Sequence, residues 1–172
     1  MAERLHHVFG PLYDENSRVL VLGSFPSVKS REAMFFYGHP RNRYWKLLPL
    51  IFGEPVPVTI DEKKSLALRH GIAMWDVIES CEITGSSDSS IRNVEINDLT
   101  PVLRSSRIRR ICVNGGTACK YFEKYTIPHL KAAGLDLSQI QVMKMPSTSP
   151  ANAAWTLEKL LPVWQDALTW QD

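Results

Sequence analysis

Four short apolar runs are spaced along the chain, and each ends at a glycine, a proline or a turn-forming residue. They are "RVLVLG" (18–23), "GIAMWDV" (71–77), "RIRRICVNGG" (107–116) and "IQVMKMPS" (140–147). The third becomes apolar only at Ile111, and short apolar runs that end at turn residues are typical of buried strands. The pattern therefore predicts four strands of a parallel sheet.

Helical patterns lie between these runs. "RYWKLLPLIFG" has its apolar residues on one side and predicts a helix that ends at Gly53. Pro49 should kink or shorten that helix, because proline lacks the backbone N–H that a helix interior needs. A second helix is predicted to start at Asp61 and to end at Gly71. A third, "TACKYFEKY", begins after a glycine pair.

The last helical pattern is "SPANAAWTLEKLLPVWQDALTW". Ser149 is a good N-cap and Pro150 suits the first helical position, so a helix is predicted to start there. Pro162 is expected to break it into two pieces. The segment 86–90, "SSDSS", is predicted to be a loop.

Strands that alternate with helices predict one α/β domain over residues 1–172, with helices on both faces of the sheet. Such folds bind ligands beyond the carboxyl ends of the strands. The segments that follow the four strands are "GSFPS", "WDVIESC", "NGGT" and "MPSTSP". Small and hydrogen-bonding residues gather in all four, which predicts a pocket at this edge.

The composition is that of an ordinary globular protein, with 44% hydrophobic and 22% charged residues. No run of about 18 apolar residues occurs, and the N-terminus lacks an apolar signal core. We expect no membrane association and a cytoplasmic location, nucleoid-associated in a bacterium or nuclear in a eukaryote. The spacing of Cys81, Cys112 and Cys119 matches no metal motif, so buried thiols and no cofactor are predicted.

The net charge is only +2, but the basic residues are unevenly placed. Between residues 18 and 46, Glu32 is the single acid against six bases: Arg18, Lys29, Arg31, Arg41, Arg43 and Lys46. Because aromatic residues are interleaved with them, this group is a candidate face for a polyanion. A second basic group, at residues 104–110, is interpreted as a solvated surface.

The long connection after the first strand carries chemistry that a simple turn does not need. Tyr37 offers a stacking surface, and the amides of Asn42 and Asn114 can hydrogen-bond the edge of a base. Glycine, serine and proline turns can hold phosphates. Together these features favour a planar heterocycle on a phosphate backbone. Structural alternatives stay open: Tyr37 in the core, Asn42 as a helix N-cap, and Asn114 bound to local backbone.

With these residues in view, the chain resembles the uracil-DNA glycosylase superfamily, and within it the hypoxanthine-DNA glycosylase branch. The matching segments are "VLGSFPS", "FFYGHPRNRYW", "GIAMWDV", "ICVNGGTA" and "MPSTSPAN", in family order over about residues 19–152. The resemblance implies a three-layer α/β/α domain with a central four-stranded parallel sheet. It also implies a repair enzyme that flips a damaged base out of double-stranded DNA and hydrolyses its N-glycosidic bond.

The resemblance implies roles by position. Tyr37 would stack on the flipped base, Asn114 would bind its edge, and "MPSTSP" would press on the strand, with Met145 or Pro150 as an apolar wedge. The predicted base-binding residues are Phe25, Tyr37 and Asn114. The predicted pocket and DNA-binding residues are Gly23, Pro26, Ser27, Pro40, Arg43, Met145, Pro146, Ser147, Thr148 and Ser149.

The two polar groups that many superfamily members use are absent. Phe25 stands where many carry an Asn or Asp that positions water, and Met145 stands where many carry a His or Asn. We predict that Asn42 orients the water instead, with His39 as a donor to the base and Ser24 as a further contact to the water. Asp76 is a candidate base, but a structural cap of "WDV" is the favoured interpretation.

Hypoxanthine is the expected substrate, with uracil and xanthine as further candidates. Hypoxanthine and uracil both place an N–H donor beside a carbonyl acceptor, whereas adenine reverses the two groups. Two alternatives remain at this level: a uracil-specific mismatch glycosylase and a non-catalytic module that binds damaged DNA. A nucleotide-binding protein of flavodoxin-like architecture is a third, supported only by "NGGT". The expected partner is double-stranded DNA with a deaminated base, and no protein partner is evident.

Overall fold

A computed structural model describes residues 3–84 and 88–169. Within these residues the strands are β1 (Glu3–His6), β2 (Val19–Gly23), β3 (Ile72–Asp76), β4 (Ile78–Ile83), β5 (Arg92–Ile96), β6 (Arg110–Asn114) and β7 (Gln141–Met145). The α-helices are α1 (Val28–Ala33), α2 (Tyr44–Phe52), α3 (Ile60–Arg69), α4 (Thr100–Arg104), α5 (Gly116–Tyr121), α6 (Ile127–Ala132) and α7 (Leu157–Leu168). A π-helical segment, Phe122–Thr126, joins α5 to α6.

The four predicted strands form one parallel sheet in the order β3-β2-β6-β7. The central residues of β2, β3 and β6 are buried, as their apolar runs predict, whereas the edge strand β7 is mostly exposed up to Met145. The predicted α/β fold is confirmed. Gly23 is in register with Asp76, and Asn114 with Met145. The strand ends therefore form a row along the carboxyl edge.

Helices cover the two faces of this sheet. On one face, α2 packs against both α3 and α7. The helical segment from α5 to α6 connects β6 to β7, which lie on the far side of β2 from β3. The connection from β2 to β3 and the connection from β6 to β7 therefore run toward opposite edges of the sheet. Because parallel crossovers are right-handed, the helices of these two connections lie on opposite faces.

A three-stranded antiparallel sheet, in the order β1-β4-β5, was not predicted. Val77 alone separates β3 from β4, so the chain passes directly from one sheet to the other. Asn97 fixes this junction, because its buried side-chain amide donates to the carbonyls of Asp76 at 2.9 Å and Ile78 at 3.3 Å. The antiparallel sheet is thereby fixed to Asp76, the last residue of β3 at the carboxyl edge of the parallel sheet.

The structure corrects three details of the helix predictions. The last helix starts at Leu157 with Thr156 as its N-cap, not at Ser149, and it runs through Pro162 unbroken. Pro49 likewise lies inside α2, which continues to its cap at Gly53. The predicted loop at 86–90 lies partly outside the described residues, and its last three residues form a short 3₁₀ turn.

The cysteine prediction is confirmed, since Cys81, Cys112 and Cys119 are free and buried. Burial raises the pKa of the Cys112 thiol to about 12. Across the described ranges, none of the helices has the length and apolar character needed to cross a membrane.

Candidate active site

A cavity of about 620 Å³ opens at the carboxyl edge of the parallel sheet. The segments that follow β2 and β7 contribute to its wall together with the last residues of β3 and β6, Asp76 and Asn114, as expected for this architecture. Most of the predicted site residues line it: Gly23, Ser24, Phe25, Pro26, Ser27, Tyr37, His39, Asn42, Asn114, Ser147, Thr148 and Ser149. Pro40, Arg43, Met145 and Pro146 lie outside this wall.

The absence of a side chain at Gly23 creates a notch in the cavity wall. A Cβ atom built there would overlap Oδ1 of Asp76 and would stand 3.2 Å from the Tyr37 hydroxyl oxygen. Asp76 lies beside Gly23 on β3, while β6, which ends at Asn114, lies on the other side of β2. The notch therefore brings a carboxylate and a phenol together at the centre of the edge.

Tyr37 is held firmly in the cavity wall. Its backbone has a positive φ of 53°, an unusual conformation for an aromatic residue that indicates a position constrained by its surroundings. Tyr44 supports its ring, with centroids 4.5 Å apart. Burial, and then the charge of Asp76, raise the pKa of Tyr37 well above its usual range, so the phenol stays protonated. The half-buried ring is well placed to stack on a flat ligand.

Asn42 shares the cavity with Tyr37 and also caps a helix. Its Oδ1 accepts a hydrogen bond from the Tyr44 backbone N–H at 2.9 Å. This satisfies the first free N–H of α2, as the capping interpretation predicted, although Arg43 occupies the formal N-cap position. One lone pair of Oδ1 and the Nδ2 hydrogens are left for a ligand.

His39 lies on the same connection and lines the cavity. Its Nδ1 faces the Arg41 backbone N–H at 3.0 Å and must therefore act as the acceptor. In a neutral ring the proton is then on Nε2. That nitrogen is free to donate, which is the role predicted for His39.

The segment between β7 and α7, here called the β7 loop (residues 146–155), is tied to the end of β6. Asn114 Oδ1 accepts from the Thr148 backbone N–H at 3.1 Å, and Asn114 Nδ2 donates to Thr148 Oγ1 at 3.0 Å. Both residues are buried. The oxygen of Asn114 is thus already engaged, and its side-chain amide also acts on the Tyr37 hydroxyl, where it opposes the rise in the pKa of Tyr37.

Arg43 holds the β7 loop from the opposite side. Its guanidinium donates to the carbonyls of Thr148 at 2.9 Å, Ser149 at 2.8 Å and Trp155 at 2.6 Å. A weaker bond reaches the carbonyl of Asn152 at 3.3 Å. The side chain predicted to contact DNA is therefore used within the protein to shape the loop.

Two residues of the predicted DNA-contacting segment point inward. Met145 is 4% exposed and Thr148 is fully buried, which does not fit side chains that enter the DNA stack. The wedge prediction for Met145 is therefore corrected. The remaining β7-loop residues of this segment are partly exposed and keep the prediction of DNA contact: Pro146, Ser147, Ser149 and Pro150.

Asp76 does not act as the predicted cap. Its Oδ2 lies 2.6 Å from Nε2 of His7, a residue for which the sequence predicted no role. Both side chains are buried, at 6% and 2% exposure. Asp76 lines the cavity, and His7 stands behind it between the rings of Phe9 and Trp75, each 4.5 Å away. Only the unpredicted antiparallel sheet brings His7 to this edge, so no local signal indicated the pair.

Comparison with known proteins identifies the family. The model of the uracil DNA glycosylase superfamily matches residues 11–168. The chain belongs to this superfamily. Two similar proteins are named hypoxanthine DNA glycosylase. That of Methanosarcina acetivorans is 36% identical over 146 residues, 84% of this chain and 86% of the relative. That of Methanosarcina barkeri is 33% identical over 131 residues, 74% of this chain and 79% of the relative.

A solved structure supports the same relationship. The solution NMR structure of a Methanosarcina acetivorans protein, described as a candidate uracil DNA glycosylase, aligns with a TM-score of 0.75 at 30% identity. The alignment covers 93% of this chain and 94% of that one. The predicted superfamily and the predicted class of enzyme, a DNA N-glycosylase, are confirmed, and DNA is its substrate.

Proposed function

We propose that this glycosylase removes hypoxanthine from double-stranded DNA by hydrolysis, without a lyase step and without a required protein partner. The observation that carries the proposal is the shared cavity, in which the Tyr37 ring and the amides of Asn42 and Asn114 meet. The names of the two Methanosarcina relatives support hypoxanthine as the base.

In the proposed reaction the flipped base stacks on Tyr37, backed by Tyr44. The N-glycosidic bond breaks first, and the base leaves with the bonding electrons and takes up a proton. A water then adds its oxygen to the cationic sugar carbon C1′ and releases a proton. Asn42 is a weak base but a good orienting group, which suffices when the sugar becomes cationic before the water attacks. His39 Nε2–H is placed to donate to the departing purine.

The first experiment measures base release. Duplexes with hypoxanthine, uracil, xanthine or only normal bases are incubated with the protein and then cleaved with alkali at abasic sites. We expect cleavage for hypoxanthine and none for normal bases. No abasic product from hypoxanthine would reject this specificity, and release of uracil alone would support the uracil-specific alternative.

Borohydride trapping tests whether the enzyme is monofunctional. Lys29 lines the cavity wall, but its side chain is 57% exposed and lies 3.5 Å from Glu32. We therefore expect no Schiff base with the abasic sugar and no covalent complex after reduction. A trapped protein–DNA adduct would contradict this part of the proposal.

Asn42 variants test the water-orienting role. Asn42→Ala should lose base release while it keeps DNA binding, and Asn42→Ser should do the same although its hydroxyl can still cap α2. Asp98→Ala is the matched control, because Asp98 Oδ1 accepts from the Thr100 N–H in the same geometry, 3.0 Å away, at α4. If Asn42→Ser retains full activity, capping alone explains the residue.

A further inference from the structure

The helix α1 turns a serine toward the protein interior. Ser30 is 3% exposed, whereas the apolar Val28 in the same helix is exposed. A buried hydroxyl is costly unless it has hydrogen-bond partners, so a serine at the inward position needs an explanation. The reaction described above gives Ser30 no role.

The hydroxyl of Ser30 holds the backbone that follows Tyr37. Its Oγ accepts a hydrogen bond from the Gly38 N–H at 2.9 Å. The chain also passes close against α1 at this point, because a Cβ atom at Gly38 would stand 3.1 Å from the Lys29 carbonyl oxygen and 3.2 Å from Ser30 Cα. Only glycine leaves room for the approach that this hydrogen bond needs.

The backbone that precedes Tyr37 is held from the other side, by a residue of α2. Trp45 Nε1 donates to the Phe36 carbonyl at 2.9 Å, in a buried hydrogen bond. The peptide group before Tyr37 is therefore bonded to α2, and the peptide group after it is bonded to α1.

These two bonds determine the backbone conformation of Tyr37. Peptide groups are planar, so φ and ψ are the only soft rotations between the two groups that flank a residue. Fixing both groups fixes both angles, and here φ is 53°, a conformation that residues with a side chain rarely adopt. Such a conformation persists only where its surroundings impose it. The same conformation places the ring against Tyr44, with centroids 4.5 Å apart.

We propose that Ser30 is a positioning residue for excision, which together with Trp45 holds the Tyr37 ring where it receives the flipped base. This rests on the proposed function, because Ser30 acts through the stacking role of Tyr37. Without the Ser30 hydroxyl the Gly38 N–H loses its acceptor, and the peptide group after Tyr37 is free to turn. Tyr37 then relaxes to a negative φ, and its ring leaves the cavity wall.

Ser30→Ala is the informative variant, and its crystal structure is a readout that needs no activity. We expect Tyr37 at a negative φ, with its ring displaced from Tyr44. Ser17→Ala is the matched control, because Ser17 is fully buried and its Oγ accepts from the Asp14 N–H at 3.0 Å. It should leave Tyr37 in place. If Ser30→Ala keeps Tyr37 at a positive φ with its ring against Tyr44, the assignment is overturned.

Single-turnover excision of hypoxanthine, with the enzyme in excess, measures the maximal rate and the half-saturating concentration separately. We expect Ser30→Ala to lower the maximal rate about tenfold, the change that about 1.4 kcal/mol produces, with little change in the half-saturating concentration. Ser17→Ala should keep the wild-type maximal rate. A role in the fold alone would have the opposite signature, because a smaller folded fraction raises the apparent half-saturating concentration and leaves the maximal rate unchanged. That result would overturn the assignment.

Tyr37→Gly shows whether Ser30 acts through Tyr37, because glycine removes the ring and adopts a positive φ without strain. In this background Ser30→Ala should change the residual rate by less than about twofold, since residues that act through one contact are not additive. An equal loss in both backgrounds would mean that Ser30 acts on the reaction by another route, and the assignment would fall.

Trp45→Phe gives a second test should Ser30→Ala not fold. It removes the hydrogen bond to the Phe36 carbonyl and keeps an aromatic ring. It should also lower the maximal rate and release Tyr37 from its positive φ, and an unchanged φ would contradict the two-sided anchoring. Absence of hypoxanthine release by the wild type would instead reject the proposed function, while the φ of Tyr37 in the variants still decides whether Ser30 and Trp45 hold it.

Discussion

Arg43 gives the sharpest test of how the β7 loop is held, because the sequence predicts one role for this residue and the structure shows another. From its position it was predicted to contact DNA, whereas its guanidinium makes three hydrogen bonds of 2.6–2.9 Å to loop carbonyls. Arg43→Ala removes all three. Its neighbour Arg41 is exposed and provides the comparison.

The size of the effect follows from these contacts. At about 1 kcal/mol for each half-buried bond, the loss is about 3 kcal/mol. For a domain of this size that lowers Tm by roughly 6–12 °C. The released loop no longer holds Asn114 through Thr148, so base excision should fall by on the order of 100-fold, as misplaced site groups commonly cause.

Two assays separate the roles. Thermal unfolding measures how much the Arg43 hydrogen bonds to the β7 loop stabilise the protein. The salt dependence of DNA binding measures phosphate contacts, because each contact contributes about one to the slope of log K against log salt concentration. Arg43→Ala should lower Tm with little change in the slope, and Arg41→Ala should lower the slope with little change in Tm. If Arg43→Ala unfolds at the wild-type temperature and changes only the salt slope, Arg43 contacts DNA and does not hold the β7 loop.

Three further variants or probes test other parts of the structure. Gly23→Ala places a methyl group against Asp76 Oδ1, so overpacking should cost about 1–3 kcal/mol in a urea titration and greatly slow excision; wild-type rates would contradict the notch. Because burial raises the pKa of Cys112 to about 12, this thiol should resist a disulfide reagent at pH 8 in the native state and react after denaturation. Thr156→Ala removes the Oγ1 acceptor for the Lys159 N–H, so it should cost about 1 kcal/mol without slowing excision, and a slower enzyme would show that the start of α7 also shapes the site.

The parallel sheet was predictable because its strands carry their signal locally. Each is a short run closed by a turn, and β2, β3 and β6 are apolar because they are buried on both faces, whereas the edge strand β7 is mostly exposed. The antiparallel sheet was not predictable in the same way. β1 and β5 are only four and five residues long, mostly exposed and polar, and become strands by pairing with β4. His7 lies just beyond β1, so its approach to Asp76 could not be foreseen.

The misplaced start of α7 has a specific physical cause. Ser149 does accept from a backbone N–H two residues on, that of Ala151 at 3.2 Å, but this closes a turn and not a helix. Arg43 takes the carbonyls of Ser149 and Trp155 that a helix beginning at Ser149 would use internally. The local cap signal is real, and a charged side chain 106 positions earlier in the chain overrides it.

The site also explains how the enzyme can lack the two usual polar groups of its superfamily. Phe25 and Met145 are 8% and 4% exposed, so apolar side chains fill both places where the resemblance led us to look for polar ones. Phe25 packs edge-on to the His7 ring, 6.2 Å between centroids, next to the buried contact of His7 with Asp76. A polar side chain there would hydrate that bond and weaken it. The apolar residue that follows β2 and the buried carboxylate at the end of β3 are therefore parts of one arrangement, in which the Phe25 ring packs against the buried His7–Asp76 pair.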